Sequence, residues 1–212
     1  MSKHFESPLE EGCYYHIFNR GNNGNNLFYQ SKNYIYFLRK YDAYLSDYIE
    51  TYSYCLMPNH FHILIRVKDR QEFKIKEKEF PKAVDMERFT TEELISELFR
   101  RFFMSYSKAI NIQEGRTGSL FQKIFRRKKV DNDLYFTRLV HYIHHQPEHH
   151  GFSDWDYKSY LWSSYRRLLI DTKTSLMKVE MMDWFGGKEK FSKFHELSFD
   201  KKVIEHLIVE ED

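Results

Sequence analysis

His60 and His62 lie two positions apart in the run Pro58-Asn59-His60-Phe61-His62-Ile63-Leu64-Ile65, whose composition is typical of a β-strand. Because side chains alternate along a strand, both imidazoles point to one face while Phe61 points to the other. Two neutral imidazoles held side by side in this way can ligate a divalent cation. Two polar residues facing solvent would give the same pattern, so the pair alone leaves both interpretations open.

A second pair is Tyr142 and Gln146, in the run Tyr142-Ile143-His144-His145-Gln146. Residues four apart lie on one face of a helix, with Cβ atoms about 5–6 Å apart. The carboxamide of Gln146 offers a neutral oxygen ligand suited to Mg²⁺ or Mn²⁺, and the hydroxyl of Tyr142 can form a covalent phosphotyrosine. The chain contains 16 tyrosines, and aromatic stripes on helices usually belong to a core, so Tyr142 gains significance only together with the two histidines.

The elements that must position these residues follow from hydrophobic periodicity. Alternation predicts strands at Tyr14–Arg20, at residues 50–56 and at His60–Val67, with a turn at residues 57–59. Apolar spacing of three and four residues predicts a helix that is capped by Ser31 and buries an aromatic face.

The second half of the chain gives three further elements. Thr90 and Glu93 form a capping-box pair that opens a helix to about residue 111, and a fourth strand is expected at residues 120–130. Asp131 or Asn132 caps a last helix that reaches Gln146, where Pro147 stops it. The charged residues 68–88 are expected to form a loop. The order β-α-β-β-α-β-α predicts an α+β fold of the ferredoxin-like type, an antiparallel sheet with helices on one face and an extra helix near the C-terminus.

Composition excludes several classes of protein. The chain has 212 residues, of which 42% are hydrophobic and 30% charged, and its mean hydropathy is −0.69. These values argue against a disordered, fibrous or membrane protein, and an N-terminus without an apolar stretch favours a cytoplasmic location. Cys13 and Cys55 are too few for a disulfide framework and form no C-x-x-C pair, which indicates that they are small core residues.

Charge is unevenly distributed although the net charge is only +2. Residues 100–129 contain nine basic residues and one acidic residue, Glu114, which gives this block a net charge of +8. Such a block predicts binding to nucleic acid through phosphates, unless it is an ordinary solvated face. Asn19, Arg20 and the loop at residues 21–26 are additional candidates for contacts with hairpin DNA. The nine basic residues are Arg100, Arg101, Lys108, Arg116, Lys123, Arg126, Arg127, Lys128 and Lys129.

Taken together, the motifs resemble those of the single-tyrosine HUH transposases, and most closely those of the REP-associated tyrosine transposases. The resemblance extends over about residues 14–165. It is carried by Tyr15-His16-Ile17-Phe18-Asn19-Arg20-Gly21, Met57-Pro58-Asn59-His60-Phe61-His62, Gly118-Ser119-Leu120-Phe121-Gln122, Tyr142-Ile143-x-x-Gln146-Pro147 and Trp162-Ser163-Ser164-Tyr165.

This resemblance implies a role for each candidate residue. His60, His62 and Gln146 would hold Mg²⁺ or Mn²⁺, and Tyr142 would cleave single-stranded DNA, with recognition of hairpins, through a 5′-phosphotyrosine intermediate. Gln146 departs from the asparagine found at this place in many REP-associated members and resembles insertion-sequence transposases instead. His145 is a weak candidate to accept the proton of Tyr142.

Other interpretations remain open at this point. A domesticated protein of the same fold would bind DNA or structured RNA without cutting it. A replication initiator or relaxase is disfavoured, because the chain is short and has a single candidate tyrosine. The resemblance implies a transposase domain at residues 1–165 and a tail at residues 166–212, whose Trp184-Phe185-Gly186-Gly187 would either grip DNA or pack on the sheet. It does not decide between a monomer and a homodimer.

Overall fold

The computed structural model describes residues 7–74, 89–122, 125–150 and 156–199. Apart from short 3-10 turns, these residues form eleven helices and strands. In chain order they are β1 (Tyr14–Arg20), α1 (Ser31–Leu45), β2 (Ile49–Met57), β3 (His60–Val67), α2 (Thr91–Gln113), β4 (Arg126–Val130), α3 (Asp133–His144), α4 (Gln146–His149), α5 (Tyr165–Leu169), α6 (Lys178–Phe185) and α7 (Lys188–His195).

The four strands form one antiparallel sheet in the order β2-β3-β1-β4. β1 and β3 are its central strands, and in their register Phe18 lies opposite His62 and Arg20 opposite His60. This arrangement confirms the α+β fold and the β-α-β-β-α-β order expected from the sequence. It also brings the C-terminal end of β1 beside the N-terminal end of β3, where the histidine pair lies.

One face of the sheet is covered by α1 and α2, which pack against each other. As predicted, α1 buries an aromatic face, including Tyr34, Phe37 and Tyr41. The ring of Phe37 contacts those of Phe61 on β3 and Phe102 on α2, with centroids 5.2 and 4.9 Å apart. Aromatic side chains therefore make up much of the core on this side of the sheet.

The sequence suggested that the other face of the sheet would be free of helices. Instead, α3 covers it by packing across β2 and β3. α3 carries a nearly continuous apolar surface that includes Phe136, Leu139, Val140 and Ile143, all buried. Covering the sheet is what removes this surface from water. A helix beyond the four-stranded core was expected, and its packing buries the histidine face.

The helix boundaries refine the sequence predictions. Gln30, not Ser31, is the N-cap of α1, and its backbone amide donates to the side-chain oxygen of Asn33 at 2.9 Å. Asn132 caps α3 by accepting a hydrogen bond from the Tyr135 amide at 2.8 Å. The helix does not continue to Gln146, because α3 ends at His144 and Pro147 occupies the first turn of α4.

The predicted fourth strand is observed at Arg126–Val130, which pairs with β1, whereas Phe121 forms an isolated bridge with Gly21. Residues 123–124 lie outside the described part. The expected Thr90–Glu93 capping box is present at the start of α2. The prediction of a charged loop can be examined only at residues 68–74, which contain a short 3-10 turn at Arg70–Glu72, because residues 75–88 lie outside the described part.

The C-terminal segment packs on the same body. Residues 162–164 bind the outer edge of β2, where the Leu56 amide donates to the Trp162 carbonyl at 3.0 Å and the Ser164 amide donates to the Tyr54 carbonyl at 2.9 Å. Trp184, on α6, lies with its ring centre 4.3 Å from that of Phe136. Of the two sequence interpretations of this tail, packing is the one observed for Trp184. No helix in the described ranges is long and apolar enough to cross a membrane.

Candidate active site

β3 presents His60 and His62 on the sheet face that α3 covers. Phe61, between them, is buried on the opposite face, as strand alternation requires. His60 is half-buried and His62 is only 4% exposed. Both cysteines are free thiols, and Cys55, which pairs with His62 in the β2–β3 register, is fully buried.

A loop–turn contact holds the start of β3 in place. The Gly21 amide donates to the Asn59 carbonyl at 2.7 Å, and the Leu27 amide donates to the Pro58 carbonyl at the same distance. A Cβ atom at Gly21 would lie 1.8 Å from the Asn25 carbonyl oxygen, so only glycine allows this close approach. The loop after β1 therefore fixes the turn that precedes His60.

Gln146 and His60 meet although they lie 86 positions apart. His60 Nδ1 lies 2.7 Å from Asn59 Oδ1, and its Nε2 lies 3.3 Å from Gln146 Oε1. The amide nitrogen of Gln146 donates to the Tyr142 carbonyl at 3.3 Å, which turns the amide oxygen toward His60. With Nδ1 donating to Asn59, the Nε2 lone pair of neutral His60 faces a second acceptor, an arrangement that a cation between them would satisfy.

The His62 ring is held neutral. Burial, followed by the nearby His16 and His60, lowers its pKa well below the usual value. Burial likewise lowers the pKa of His16 to about 3. Neutral imidazole is the form that ligates metal, so the electrostatics of His62 suit a ligand.

Tyr142 lies next to this pair in the same chain. Its ring meets that of His62 edge-on, with centroids 5.5 Å apart, and it lies 5.4 Å from the ring of His149. The Tyr142 side chain is only 1% exposed. The candidate nucleophile and the three candidate ligands thus lie close together within one chain.

His145, the candidate proton acceptor, lies elsewhere. Its Nδ1 lies 3.0 Å from the His141 carbonyl, and its ring stacks on that of His141 at 3.7 Å. Among residues 144–150, the imidazole in contact with the Tyr142 ring is that of His149.

The set of two histidines and Gln146 fits Mg²⁺ or Mn²⁺ by its chemistry, since it combines two neutral nitrogens with one amide oxygen. Among the described residues, no group of three or more His, Cys, Asp or Glu side chains is arranged to hold a metal. A metal site here would therefore need Gln146 as its third protein ligand.

A cavity of about 240 Å³ opens beside the histidines. Besides His60 and His62, most of its lining residues are polar or basic. The ring of His150 lies 4.4 Å from that of His60 at its wall. The other lining residues are Phe18, Asn19, Arg20, Asn59, Phe61, Gln122 and Arg126.

Comparison with known proteins finds a likeness among solved structures. No protein-family model matches the chain, and no curated protein matches its sequence. Its structure is similar to that of a REP-associated tyrosine transposase bound to a REP hairpin, with a TM-score of 0.57 and 15% sequence identity, over 79% of this chain and 84% of that chain. The chain has the fold of a tyrosine transposase. At this identity the likeness concerns the fold.

Within the transposase fold, the basic block of the sequence is divided between two faces. On β4, Arg126 pairs with Phe18 and Lys128 with His16, so both lie on the histidine face of the sheet. Arg127 and Lys129 point to the opposite face, where they form ion pairs with Glu92 and Glu10. Arg126 also lines the cavity.

The described basic residues of the block before β4 do not line the cavity beside the histidines. Arg100 and Arg101 both bind Glu97 on α2, at 2.6 and 2.8 Å. Lys108 is exposed on the same helix, and Arg116 donates to the Tyr29 hydroxyl at 3.1 Å. Lys123 lies outside the described residues. The transposase fold therefore gathers only part of the block near the site, together with Arg20 and Asn19.

Sequence reasoning did not single out His16, Asn59, Gln122 or His150, which border the site. The first three lie inside the motifs that resemble the transposases. An alternating-strand signal was available for His16, since it shares a face of β1 with Phe18. The sequence alone does not give the β1–β3 register, which places this face of β1 beside His62.

Proposed function

We propose that this protein is a metal-dependent single-stranded DNA endonuclease and transposase that recognises hairpin DNA. It cleaves and rejoins DNA through a 5′-phosphotyrosine formed on Tyr142. The observation that carries this proposal is that Gln146 contacts His60 while Tyr142 contacts both Gln146 and His62. These residues come from three elements and together supply a candidate nucleophile and a candidate ligand set.

The chemistry follows from the groups present. A cation held by His60, His62 and Gln146 would withdraw charge from the oxygens of the scissile phosphate. Tyr142 Oη bonds to phosphorus, and the bond from phosphorus to O3′ breaks, so that the 3′ oxygen takes up a proton and leaves as a hydroxyl. Since a phosphodiester is retained on Tyr142, rejoining by attack of a 3′-hydroxyl needs no ATP.

Three neighbouring residues, one histidine and two arginines, complete the proposed mechanism. Tyrosine with its ordinary pKa of about 10 is protonated at neutral pH, so a base must remove the proton. His149 is exposed and contacts the Tyr142 ring, and we assign it this role. Arg20 and Arg126, on the wall of the cavity, would bind the flanking phosphates.

One observation favours a second candidate, a non-cleaving DNA- or RNA-binding protein of the same fold. The Tyr142 side chain is 1% exposed, whereas attack on phosphorus requires its hydroxyl to reach the DNA backbone. For cleavage to occur, DNA binding must therefore open the contact between Tyr142 and its neighbours.

A covalent-adduct assay separates the two candidates. The protein is mixed with end-labelled single-stranded hairpin DNA and Mn²⁺, then denatured and separated by electrophoresis. We expect a band in which label and protein remain joined, and its loss in Tyr142→Phe without loss of DNA binding. Tyr165→Phe, which alters another buried tyrosine on α5, serves as the control and should keep the band. Adducts that persist in Tyr142→Phe would assign the nucleophile to another residue, and tight binding without any adduct would support the second candidate.

A further inference from the structure

His16 takes no part in the chemistry proposed above, yet it contacts the site directly. It lies on the central strand β1 and is completely buried. Its Nε2 lies 2.9 Å from His62 Nδ1, and the two rings stack with centroids 5.0 Å apart at an angle of 26°. His16 and His62 are thus joined by a hydrogen bond inside the protein, away from solvent.

The position of this hydrogen bond determines which nitrogen His62 can offer. Because Nδ1 of His62 is engaged with His16, Nε2 is the nitrogen left for a ligand. Nε2 carries a lone pair only in the tautomer whose proton is on Nδ1, and that proton then needs an acceptor. Nε2 of His16 is the acceptor at hydrogen-bond distance.

This assignment carries a cost at the other ring nitrogen of His16. When its Nε2 accepts, its own proton is on Nδ1. Within the part of the chain that the structure describes, that buried nitrogen has no hydrogen-bond partner. A buried N–H without a partner is unfavourable, so the arrangement costs stability and needs a compensating interaction elsewhere.

We propose that His16 is a positioning residue that accepts the Nδ1 proton of His62 and thereby directs His62 Nε2 toward the cation. The inference rests on the proposed function, since it assigns the second partner of a metal-ligating histidine. Metal-bound histidines generally donate their other ring N–H to such a partner, which fixes both the tautomer and the ring orientation. Here the partner is a third imidazole in place of a carboxylate or carbonyl.

A packing role and a positioning role predict different results for two substitutions. Phenylalanine at position 16 fills a similar volume among the rings of Phe18 and Tyr142, which lie 4.7 and 6.2 Å away, but accepts no hydrogen bond. Glutamine at the same position offers an amide oxygen near the place of the imidazole Nε2. If His16 only packs, His16→Phe should preserve metal affinity better than His16→Gln. If His16 positions His62, His16→Gln should preserve it better.

The test measures Mn²⁺ affinity without DNA, from the electron paramagnetic resonance signal of free Mn²⁺ during titration of the full chain. We expect His16→Phe to weaken binding by ~10–100-fold and His16→Gln to restore most of the affinity. His195→Phe, which removes another buried histidine with a hydrogen-bonded ring, controls for general destabilisation and should bind Mn²⁺ normally. Thermal unfolding of each variant verifies that it is folded.

The outcomes distinguish this inference from the proposed function. If wild type binds Mn²⁺ and loses it in His60→Ala, but folded His16→Phe binds as tightly as wild type, the role of His16 is overturned and the metal site stands. If wild type binds neither Mn²⁺ nor Mg²⁺, the metal-dependent function fails and the inference with it.

A second measurement tests the role of His16 even if His16→Phe does not fold. Histidine-selective ¹⁵N spectra of wild type saturated with Mg²⁺ report the tautomer of each ring. A protonated Nδ1 on His62 supports the proposal, whereas an unprotonated Nδ1 contradicts it.

Discussion

At the scale of single residues, the contact between His60 Nε2 and Gln146 Oε1 is the most informative feature of the site. The two atoms lie 3.3 Å apart, and when the proton of neutral His60 is on Nδ1, two lone pairs face each other and a cation between them would remove the repulsion. Gln146 is fully buried and cannot turn to water instead. Its amide is fixed by the Tyr142 carbonyl, so the oxygen remains aimed at His60.

This geometry predicts opposite effects for two substitutions of Gln146. Gln146→Leu has a similar size but no oxygen, and we expect it to weaken Mn²⁺ binding by at least ~10-fold, because the cation loses a ligand. Gln146→Glu keeps an oxygen and adds a negative charge, so affinity should be retained or increased. Calorimetric titration of both variants checks this. Equal affinities for Gln146→Leu and wild type would remove Gln146 from the ligand set.

The candidate residues found from the sequence share one property. His60 and His62 are related by strand alternation, and Tyr142 and Gln146 by helical spacing, both of which are local rules. His16 follows the same alternation, but its significance depends on pairing between strands 46 residues apart. Single-sequence patterns do not determine such a register, so His16 could not be assigned a role in advance.

At the scale of elements, β4 shows how an alternating strand divides a run of like charges. Its sequence Arg-Arg-Lys-Lys looks uniform, yet only Arg126 and Lys128 lie on the histidine face. Burial lowers the pKa of Lys128, whose ammonium lies 5.2 Å from the centre of the Tyr135 ring. The acidic partners Glu10 and Glu92 lie far from β4 in the sequence, so a local charge count does not reveal them.

This division predicts that two adjacent arginines differ in DNA binding. Arg126→Ala should weaken hairpin-DNA binding and reduce the slope of log affinity against log salt by about 1, because one phosphate contact is lost. Arg127→Ala should leave that slope unchanged and lower protein stability instead, since Arg127 is bonded to Glu92 and to the Ser7 carbonyl. Fluorescence anisotropy at several salt concentrations measures both. The same loss of slope in the two variants would contradict the assignment of faces.

The break between α3 and α4 also belongs to this scale. The sequence predicted one helix through Gln146 with Pro147 as its stop, because proline disfavours helical geometry in the residue before it. In the structure the chain continues into a further turn, with Pro147 placed where its missing N–H costs nothing. The contact between Tyr142 and Gln146 persists across this break.

At the scale of the whole molecule, a chain of buried hydrogen bonds joins the C-terminal segment to the sheet. Ser164 Oγ accepts from the Tyr54 amide and lies 2.8 Å from His144 Nε2, while His144 Nδ1 lies 2.8 Å from His195 Nε2. Burial lowers the pKa of His144 well below its usual value and lowers that of His195 to about 3. These imidazoles are therefore neutral in the folded protein.

This neutrality predicts a loss of stability in acid. Below the ordinary histidine pKa of 6.5 the unfolded chain binds protons that the folded protein excludes until about pH 3, so stability is full above pH 6.5 and falls as the pH drops through this window. Each such histidine contributes a slope of up to ~1.4 kcal/mol per pH unit. Urea unfolding between pH 7.5 and 5 should show the fall, and His195→Gln should reduce its slope. An unchanged slope in His195→Gln would mean that this imidazole is protonated in the folded state.

The Trp162–Ser164 segment on the edge of β2 has a consequence for the behaviour of the protein at high concentration. An unpaired strand edge offers a template on which another chain can add a strand, which leads to aggregation. Backbone groups of Tyr54 and Leu56 are already bonded to this segment, so the β2 edge cannot recruit a foreign strand until the segment detaches. Three residues that follow all four strands in the sequence thereby protect the solubility of the sheet.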